Sequence, residues 1–187
     1  RQYGRLMARE MAAYADKLAI DDRSQDPAAG WENLRRQSDA LFMRGFDTEY
    51  LEEMKGMADG AKAAGVKADC FSGRDWNLLD VVTLNSVIDL GQLDGALDKT
   101  PTAISRKAFA PAEQEMDQPQ RTHKCSAFLA NGPLTPNGEI VFSQMFMWGG
   151  YTGVHWNVIC DVQPTKGHRL VFESFPGGIH SGTDFYV

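Results

Sequence analysis

The sequence predicts an α+β protein in which a helical N-terminal half precedes a strand-rich C-terminal half. Apolar residues recur at helical spacing along residues 1–100, whereas residues 125–187 form short β-rich runs between turn signals. Residues 101–124 join the two halves; they are rich in Pro, Gln, Lys and Glu and show no apolar periodicity. A run of helices followed by a run of strands is typical of the α+β class.

Residue types that start and stop helices divide the N-terminal half. Pro27 fixes a φ angle suited to a first helical turn, and Asp47 is a favourable N-cap. The Met and aromatic residues that recur within these segments are interpreted as core packing. Four helices are expected to start near Leu6, Pro27, Asp47 and Asp75, and the first three are expected to end near Asp22, Gly45 and Gly65.

Turn signals divide the C-terminal half into strands. A hairpin is expected where the turn of residues 164–167 separates two β-rich runs. The expected strands are residues 125–130, 139–147, 155–162, 168–175 and a last run at 183–187. The residues expected to share a strand face are Val158, Cys160 and Val162 in one strand of the hairpin, and Leu170, Phe172 and Ser174 in the next.

Composition narrows the classes of function. A net charge of −6 and a pI near 5.2 argue against nucleic-acid binding, which usually requires a basic face. The apolar stretches are far shorter than the ~20 residues of a membrane helix, so no membrane span is expected. The cysteines and histidines lack zinc-type spacing, and we expect neither metal nor organic cofactor. The sequence does not determine whether Cys70 and Cys160 form a disulfide bond.

Cys125 stands where the polar linker meets the first expected strand. Cutting the bond between Lys124 and Cys125 would place a thiol and an α-amine on one residue. That amine titrates near 8, against about 10.4 for lysine, so much of it is free base at neutral pH. The alternative is a buried structural cysteine, because cysteine is often buried. The layout is the one expected of a self-cleaving N-terminal-nucleophile hydrolase.

Several segments also occur in the order found in one such family. They are residues 50–61 (E-M-x-G-I-A-x-G in the family), 80–85 (D-x-x-x-L-N), 125–128 (the nucleophile strand), 148–151 (W-x-x-Y) and 175–186 (Y-P-G-x-I-x-S-x-D-D-F). Residues 40–187 thus resemble the phospholipase B-like and acyl-coenzyme A:6-aminopenicillanic acid acyltransferase-like family of N-terminal-nucleophile hydrolases.

The resemblance implies a fold and a maturation step. It implies an αββα sandwich, here incomplete, with its first strands in residues 125–187 and a helical pro-region or α-region in residues 1–100. It implies Cys125 as nucleophile and the Lys124–Cys125 bond as the cleavage site, with residues 101–124 excised or disordered. A secreted, periplasmic or lysosome-like compartment is suspected on the same ground.

Two departures from the family pattern bear on this interpretation. Many relatives have His on the strand before W-x-x-Y, whereas Gln144 stands in that region, and an amide cannot take a proton as imidazole does. Relatives also continue past the loop of residues 175–186. We therefore expect a second chain or a further C-terminal segment to complete the fold, since an unpaired sheet edge and an uncovered apolar face are unfavourable.

Other residues are candidates for orienting groups or substrate. Trp148 and Tyr151 could wall an acyl pocket or pack under the turn between them. Ser181 and Asp184 could orient the α-amine or bind substrate, although both residue types also form ordinary loops. Gln144 is a further candidate for orienting or binding substrate, because it can form hydrogen bonds near the expected nucleophile strand. His155 and His180 are interpreted as structural.

The function expected from the resemblance is that of a cysteine amidohydrolase or acyltransferase acting on linear amides of small molecules or small peptide-like substrates, through an acyl-thioester. The first alternative is a phospholipase B-like lipid acyl hydrolase. The second is a non-catalytic subunit that keeps the fold for assembly, which the absence of the histidine favours. The partners expected are a small amide or acyl substrate and the chain or segment that completes the fold.

Overall fold

The computed structural model describes residues 1–98, 125–145, 147, 149–180 and 185–186. The chain divides into two compact units. The helical unit comprises Arg1–Gln114 together with Phe175–His180, and the strand unit comprises Glu115–Ser174 together with Ser181–Val187. Helices and antiparallel sheets occur together, so the expected α+β class is confirmed, while the αββα sandwich stays a prediction. The expectation for residues 101–124 falls outside the described residues.

Six α-helices are described in the helical unit and one short helix in the strand unit. Their bounds are α1 Gln2–Leu6, α2 Ala8–Asp22, α3 Pro27–Leu41, α4 Thr48–Ala63, α5 Leu78–Leu84, α6 Val87–Asp98 and α7 Gly150–Gly153, with a 3-10 turn at Met43–Gly45. No helix among the described residues is long and apolar enough to cross a membrane.

The helix start predicted at Pro27 is confirmed. Asp26 caps α3, because its carboxylate accepts the backbone N–H of Ala29 at 3.2 Å. Asp47 occupies the N-cap position of α4 as predicted, but its side chain accepts no capping hydrogen bond.

The helix predicted to start near Asp75 is present, but it begins three residues later, at Leu78. Asn77 is the N-cap of α5, where it and Asp80 form a reciprocal capping box. Asp75 instead forms ion pairs with Lys62 at 3.4 Å and with Lys67 at 2.7 Å. The expected single fourth helix is also two helices, because the chain breaks between α5 and α6 at Asn85 and Ser86.

The core of the helical unit is formed by large side chains from α2 to α5. These side chains are Met11, Tyr14, Trp31, Met54, Val81 and Leu84, each almost fully buried. Helices α1 and α4 come close together at Gly4, where an added Cβ would lie 2.0 Å from the carbonyl oxygen of Met57. Residue types interpreted as core packing therefore do form the core.

A buried carboxylate ties three segments of the helical unit together. Asp80 is fully buried, and its Oδ1 lies 2.7 Å from Nη2 of Arg74 and 2.9 Å from Nε of Arg35. The Arg35 N–H is not aimed well enough to count as a hydrogen bond, so that contact is an ion pair only. The indole Nε1 of Trp31 also donates to Oδ1 at 3.2 Å, and the backbone N–H of Asn77 donates to Oδ2 at 2.9 Å.

The hydrogen bonds and ion pairs of Asp80 also keep Arg74 charged. Burial disfavours the charge on Arg74, but the hydrogen bond to Asp80 and the charges of Asp80 and Asp69 outweigh burial and raise the pKa of Arg74. Arg74 therefore stays charged, and the buried carboxylate keeps its counter-ion.

The strand unit contains a two-stranded and a three-stranded antiparallel sheet. Its strands are β1 Ser126–Gly132, β2 Gly138–Met145, β3 Val158–Val162, β4 Leu170–Ser174 and β5 Phe185–Tyr186. In the β3–β4 hairpin, Cys160 is opposite Phe172 and Val162 is opposite Leu170. The residues predicted to share a face therefore do so, and the hairpin predicted around residues 164–167 is confirmed.

The β1–β2 hairpin exposes apolar side chains on both faces. Phe128 and Met145 lie on one face, and Leu129, Ile140 and Phe142 lie on the other. Strands that are apolar on both faces are typical of a sheet covered on both sides. This pattern supports the proposal of a layered sandwich.

We expect Asp80→Ala to lower the free energy of unfolding by about 3–5 kcal/mol, because Arg35 and Arg74 would lose the buried carboxylate that they share, and Arg74 would keep only Asp69 at 3.6 Å. The measurement is the midpoint of a urea unfolding curve. The control is Asp59→Asn, which removes a partly exposed carboxylate paired with the exposed side chains of Lys55 and Arg1 and is expected to leave the midpoint near wild type. Equal midpoints for Asp80→Ala and wild type would contradict the structural role of Asp80.

Candidate active site

Cys125 presents an exposed thiol at the residue before β1. The alternative of a buried structural cysteine is wrong for the described fold. None of the three cysteines, Cys70, Cys125 and Cys160, forms a disulfide. Cys125 is therefore exposed to solvent in the described fold.

Strand pairing places Gln144 near the start of β1. Ala127 is opposite Gln144, and Ser126 is opposite Met145. Directly opposed residues share a sheet face, so Gln144 lies on the face of Ala127, two residues after Cys125. Because successive side chains of a strand alternate between its faces, we expect Cys125 to lie on this face as well. Gln144 is half-buried.

Of the other predicted site residues, only Tyr151 is described. It lies in α7, and nearly half of its side chain is exposed. Four predicted residues lie outside the described residues: Lys124, Trp148, Ser181 and Asp184.

The segment Phe175–His180 belongs to the helical unit although it follows β4 directly. Phe175 is fully buried and its ring lies 5.4 Å from the ring of Tyr14. The backbone N–H of Gly177 donates to the hydroxyl of Tyr3 at 3.3 Å, and that of Gly178 donates to the carbonyl of Phe175 at 2.9 Å. Both glycine N–H groups therefore have hydrogen-bond partners within the helical unit, as expected of a tight turn.

Asn85 holds this segment by its side chain. Its Nδ2 donates to the carbonyl oxygens of Val81 at 2.8 Å and Gly177 at 2.9 Å, and its Oδ1 accepts the N–H of Ile179 at 3.0 Å. Asn85 is the last residue of the D-x-x-x-L-N pattern, and the sequence alone predicted no role for it. A polar residue at the buried end of an apolar helix was the signal that could have identified it.

The thiol of Cys70 is chemically different from a catalytic thiol. Partial burial of the sulfur, then a hydrogen bond to Asp16 and the charge of that carboxylate, raise the pKa of Cys70 to about 11. The backbone N–H of Cys70 also donates to Asp16 Oδ1 at 2.8 Å. Although Cys70 is exposed, its thiolate fraction at neutral pH is small, which makes it a poor nucleophile.

The described residues contain no group of three or more His, Cys, Asp or Glu side chains that could hold a metal ion. The geometry therefore defines the class of protein: it combines helices with antiparallel sheets and carries an exposed cysteine just before a strand.

Comparison with known proteins then identifies the family. The family described as Phospholipase B matches residues 31–187, and the chain belongs to that family. The suspected resemblance to phospholipase B-like proteins is therefore confirmed.

One relative is an uncharacterized protein of Archaeoglobus fulgidus, which is 27% identical over 130 residues. The match covers 70% of this chain but 18% of the relative, so the chain spans a small part of that protein's length. No solved structure matches the chain.

Cys70 should react slowly with iodoacetamide at pH 8, and its rate should rise until pH reaches about 11, because only the thiolate is nucleophilic. Asp16→Asn removes the neighbouring charge but keeps an acceptor for the Cys70 N–H, so it should lower the pKa and speed labelling. Mass spectrometry of the labelled peptide measures both rates. Asp21→Asn, on the same helix, is the control; equal rates for Asp16→Asn and wild type would show that burial alone sets the pKa.

Proposed function

We propose that Cys125 is the nucleophile of a self-processed N-terminal-nucleophile hydrolase or acyltransferase that acts on linear amides. The observation that carries the proposal is the exposed thiol immediately before β1, in a member of the phospholipase B family. The two apolar faces of the β1–β2 hairpin support the layered αββα fold that belongs to this proposal.

Maturation uses the same thiol. The Cys125 sulfur attacks the carbonyl carbon of Lys124, the S–C bond forms as the C–N bond breaks, and the departing α-amine takes up the thiol proton. Water then hydrolyses the thioester, which leaves a carboxylate on Lys124 and a free thiol and α-amine on Cys125.

Catalysis repeats this chemistry on a substrate. The α-amine of Cys125 accepts the thiol proton, and the thiolate attacks the amide carbonyl. The tetrahedral oxyanion needs donors aimed at it, for which backbone N–H groups are suited. The departing amine takes the proton, and the acyl-thioester then passes its acyl group to water or to another amine.

Gln144 replaces an imidazole in this proposal and therefore has a different role. Its amide can donate and accept hydrogen bonds but cannot act as a general base. Its place opposite Ala127 supports a role in orienting the substrate or the α-amine. Trp148 and Tyr151 are proposed to contact the acyl group, and Ser181 and Asp184 to orient the amine.

A phospholipid acyl ester is the second candidate substrate, because the family that matches is described as Phospholipase B. A thioester intermediate forms from an ester as well as from an amide, so the nucleophile is the same in both cases. Amides are preferred because transfer from a thioester to an amine requires no lipid-binding surface.

Cys125→Ala should abolish both processing and acyl hydrolysis, because the attacking sulfur is lost while the side chain changes little in volume. Cys125→Ser should process slowly, because a hydroxyl can perform the same acyl shift. Intact-mass measurement detects the break before residue 125. The control is Cys70→Ala, which removes another exposed thiol and should leave processing unchanged. Full turnover in Cys125→Ala would show that Cys125 is not the nucleophile, whereas an uncut and unreactive wild-type chain would favour a non-catalytic subunit.

The substrate class is tested with two probes on the same preparation. Release of amine from an N-acyl aminocoumarin should exceed release of fatty acid from phosphatidylcholine vesicles, and both should be lost in Cys125→Ala. Faster release from the vesicles would replace the amide proposal by the phospholipid ester while leaving Cys125 as nucleophile.

A further inference from the structure

A groove lies between α1 and the end of α4, within the helical unit. The two helices touch at a glycine, because an added Cβ on Gly60 would lie 2.1 Å from the carbonyl oxygen of Arg1 and 2.8 Å from the backbone nitrogen of Arg5. So close an approach leaves no room for a side chain at this position. The groove beside this crossing has a volume of about 770 Å³, and Arg1, Arg5 and Lys62 are among the residues that line it.

The carboxylate that lines the groove does not neutralise its cations. Asp59 lies 3.3 Å from Arg1 and 2.6 Å from Lys55, so one negative charge is shared by two positive charges. The hydrogen bond from Lys55, together with the charges of Lys55 and Arg1, outweighs burial and lowers the pKa of Asp59. Arg5 forms no ion pair within the described part of the chain. Positive charge is therefore in excess on this side of the groove.

A second shared carboxylate lies beside Lys62. Asp75 is 3.4 Å from Lys62 and 2.7 Å from Lys67, so it also serves two cations. The side chains that line the groove or belong to its ion pairs are thus five positive and two negative ones, a local net charge of +3 in a chain whose net charge is −6. Crowding of like charges is unfavourable, and an anion in the groove would relieve it.

The types of cation around the groove favour phosphate over other anions. A guanidinium is a planar fork of donors that matches two oxygens of a phosphate, and an ammonium adds a compact point charge. Phosphate offers three strong acceptor oxygens and up to two negative charges, so it can serve Arg1, Arg5 and Lys62 together. A carboxylate has one charge and two oxygens, and one guanidinium fork already satisfies it.

We propose that the groove between α1 and the end of α4 binds a phosphate group, held by Arg1, Arg5 and Lys62. The groove is much larger than one phosphate, so it also has room for the organic part of a molecule that carries the group. The proposal goes beyond the proposed function and does not depend on Cys125 as nucleophile. The same chemistry comes from two sources, a free phosphate compound and a phospholipid headgroup.

The test measures binding to the full chain at fixed ionic strength with one probe for each source. Calorimetric titration with inorganic phosphate probes the free ligand, and cosedimentation with phosphatidylglycerol vesicles probes the headgroup. At least one probe should bind saturably, and the probe that binds identifies the source. Arg5→Gln and Lys62→Gln should each weaken that binding about tenfold, because each removes one charge-assisted hydrogen bond.

Two further variants separate a defined site from general attraction by charge. Arg44→Gln also removes one exposed positive charge, but Arg44 precedes α4, whereas Lys62 lies at its end, about 20 Å further along. It should leave binding unchanged. Asp59→Asn should tighten binding, because Arg1 and Lys55 would lose the carboxylate that they share. All four substitutions change exposed or partly exposed side chains, so the fold should survive them.

Three results would overturn the phosphate site. The first is that neither inorganic phosphate nor the vesicles bind saturably. The second is that Arg5→Gln and Lys62→Gln bind as tightly as the wild type. The third is that Arg44→Gln weakens binding as much as they do, which would show attraction by overall charge alone. None of these results bears on processing at Cys125, so the two proposals fail separately.

Discussion

The structure of the helical unit depends on one buried carboxylate, Asp80. A carboxylate without solvent is strongly unfavourable unless charges and N–H groups surround it. Arg35 comes from α3, Arg74 from the segment before α5, and the indole of Trp31 from the face of α3 that also fills the core. These three groups must converge for Asp80 to be buried, so the carboxylate fixes where α3, α5 and the intervening segment meet. It also begins α5, through its capping bond to Asn77.

Helix α5 uses its two ends for different purposes. Its first turn carries Asp80, which organises the helices, and the residue after its last turn is Asn85, which holds the Phe175–His180 segment. The apolar residues between them, Val81, Val82 and Leu84, are fully buried. The D-x-x-x-L-N pattern is thereby explained physically: both polar residues are buried and hydrogen-bonded, and the spacing is set by a helix of less than two turns.

Cys125 and Cys70 show how surroundings decide the chemistry of a thiol. Both belong to exposed residues, but the Cys70 sulfur is partly buried and lies against the Asp16 carboxylate, and both features oppose formation of its negative charge. Its raised pKa suits an inert residue. Cys125 instead heads a strand whose neighbour contributes an uncharged amide, Gln144, and in the proposed mechanism it relies on its own α-amine as base.

The sequence by itself determined the features that depend on neighbouring residues: the start of α3 at Pro27, the shared faces of the β3–β4 hairpin, and the position of Cys125 before a strand. These follow from dihedral preference and alternation, which act over a few residues. Only the tertiary structure decided that α5 begins after Asn77 rather than near Asp75, that Asp80 meets Arg35, and that Asn85 binds Gly177. Those outcomes depend on burial, because a buried polar group must find a partner among the residues that packing brings next to it. Those partners can be distant in the sequence: Arg35 is 45 residues from Asp80, and Gly177 is 92 residues from Asn85.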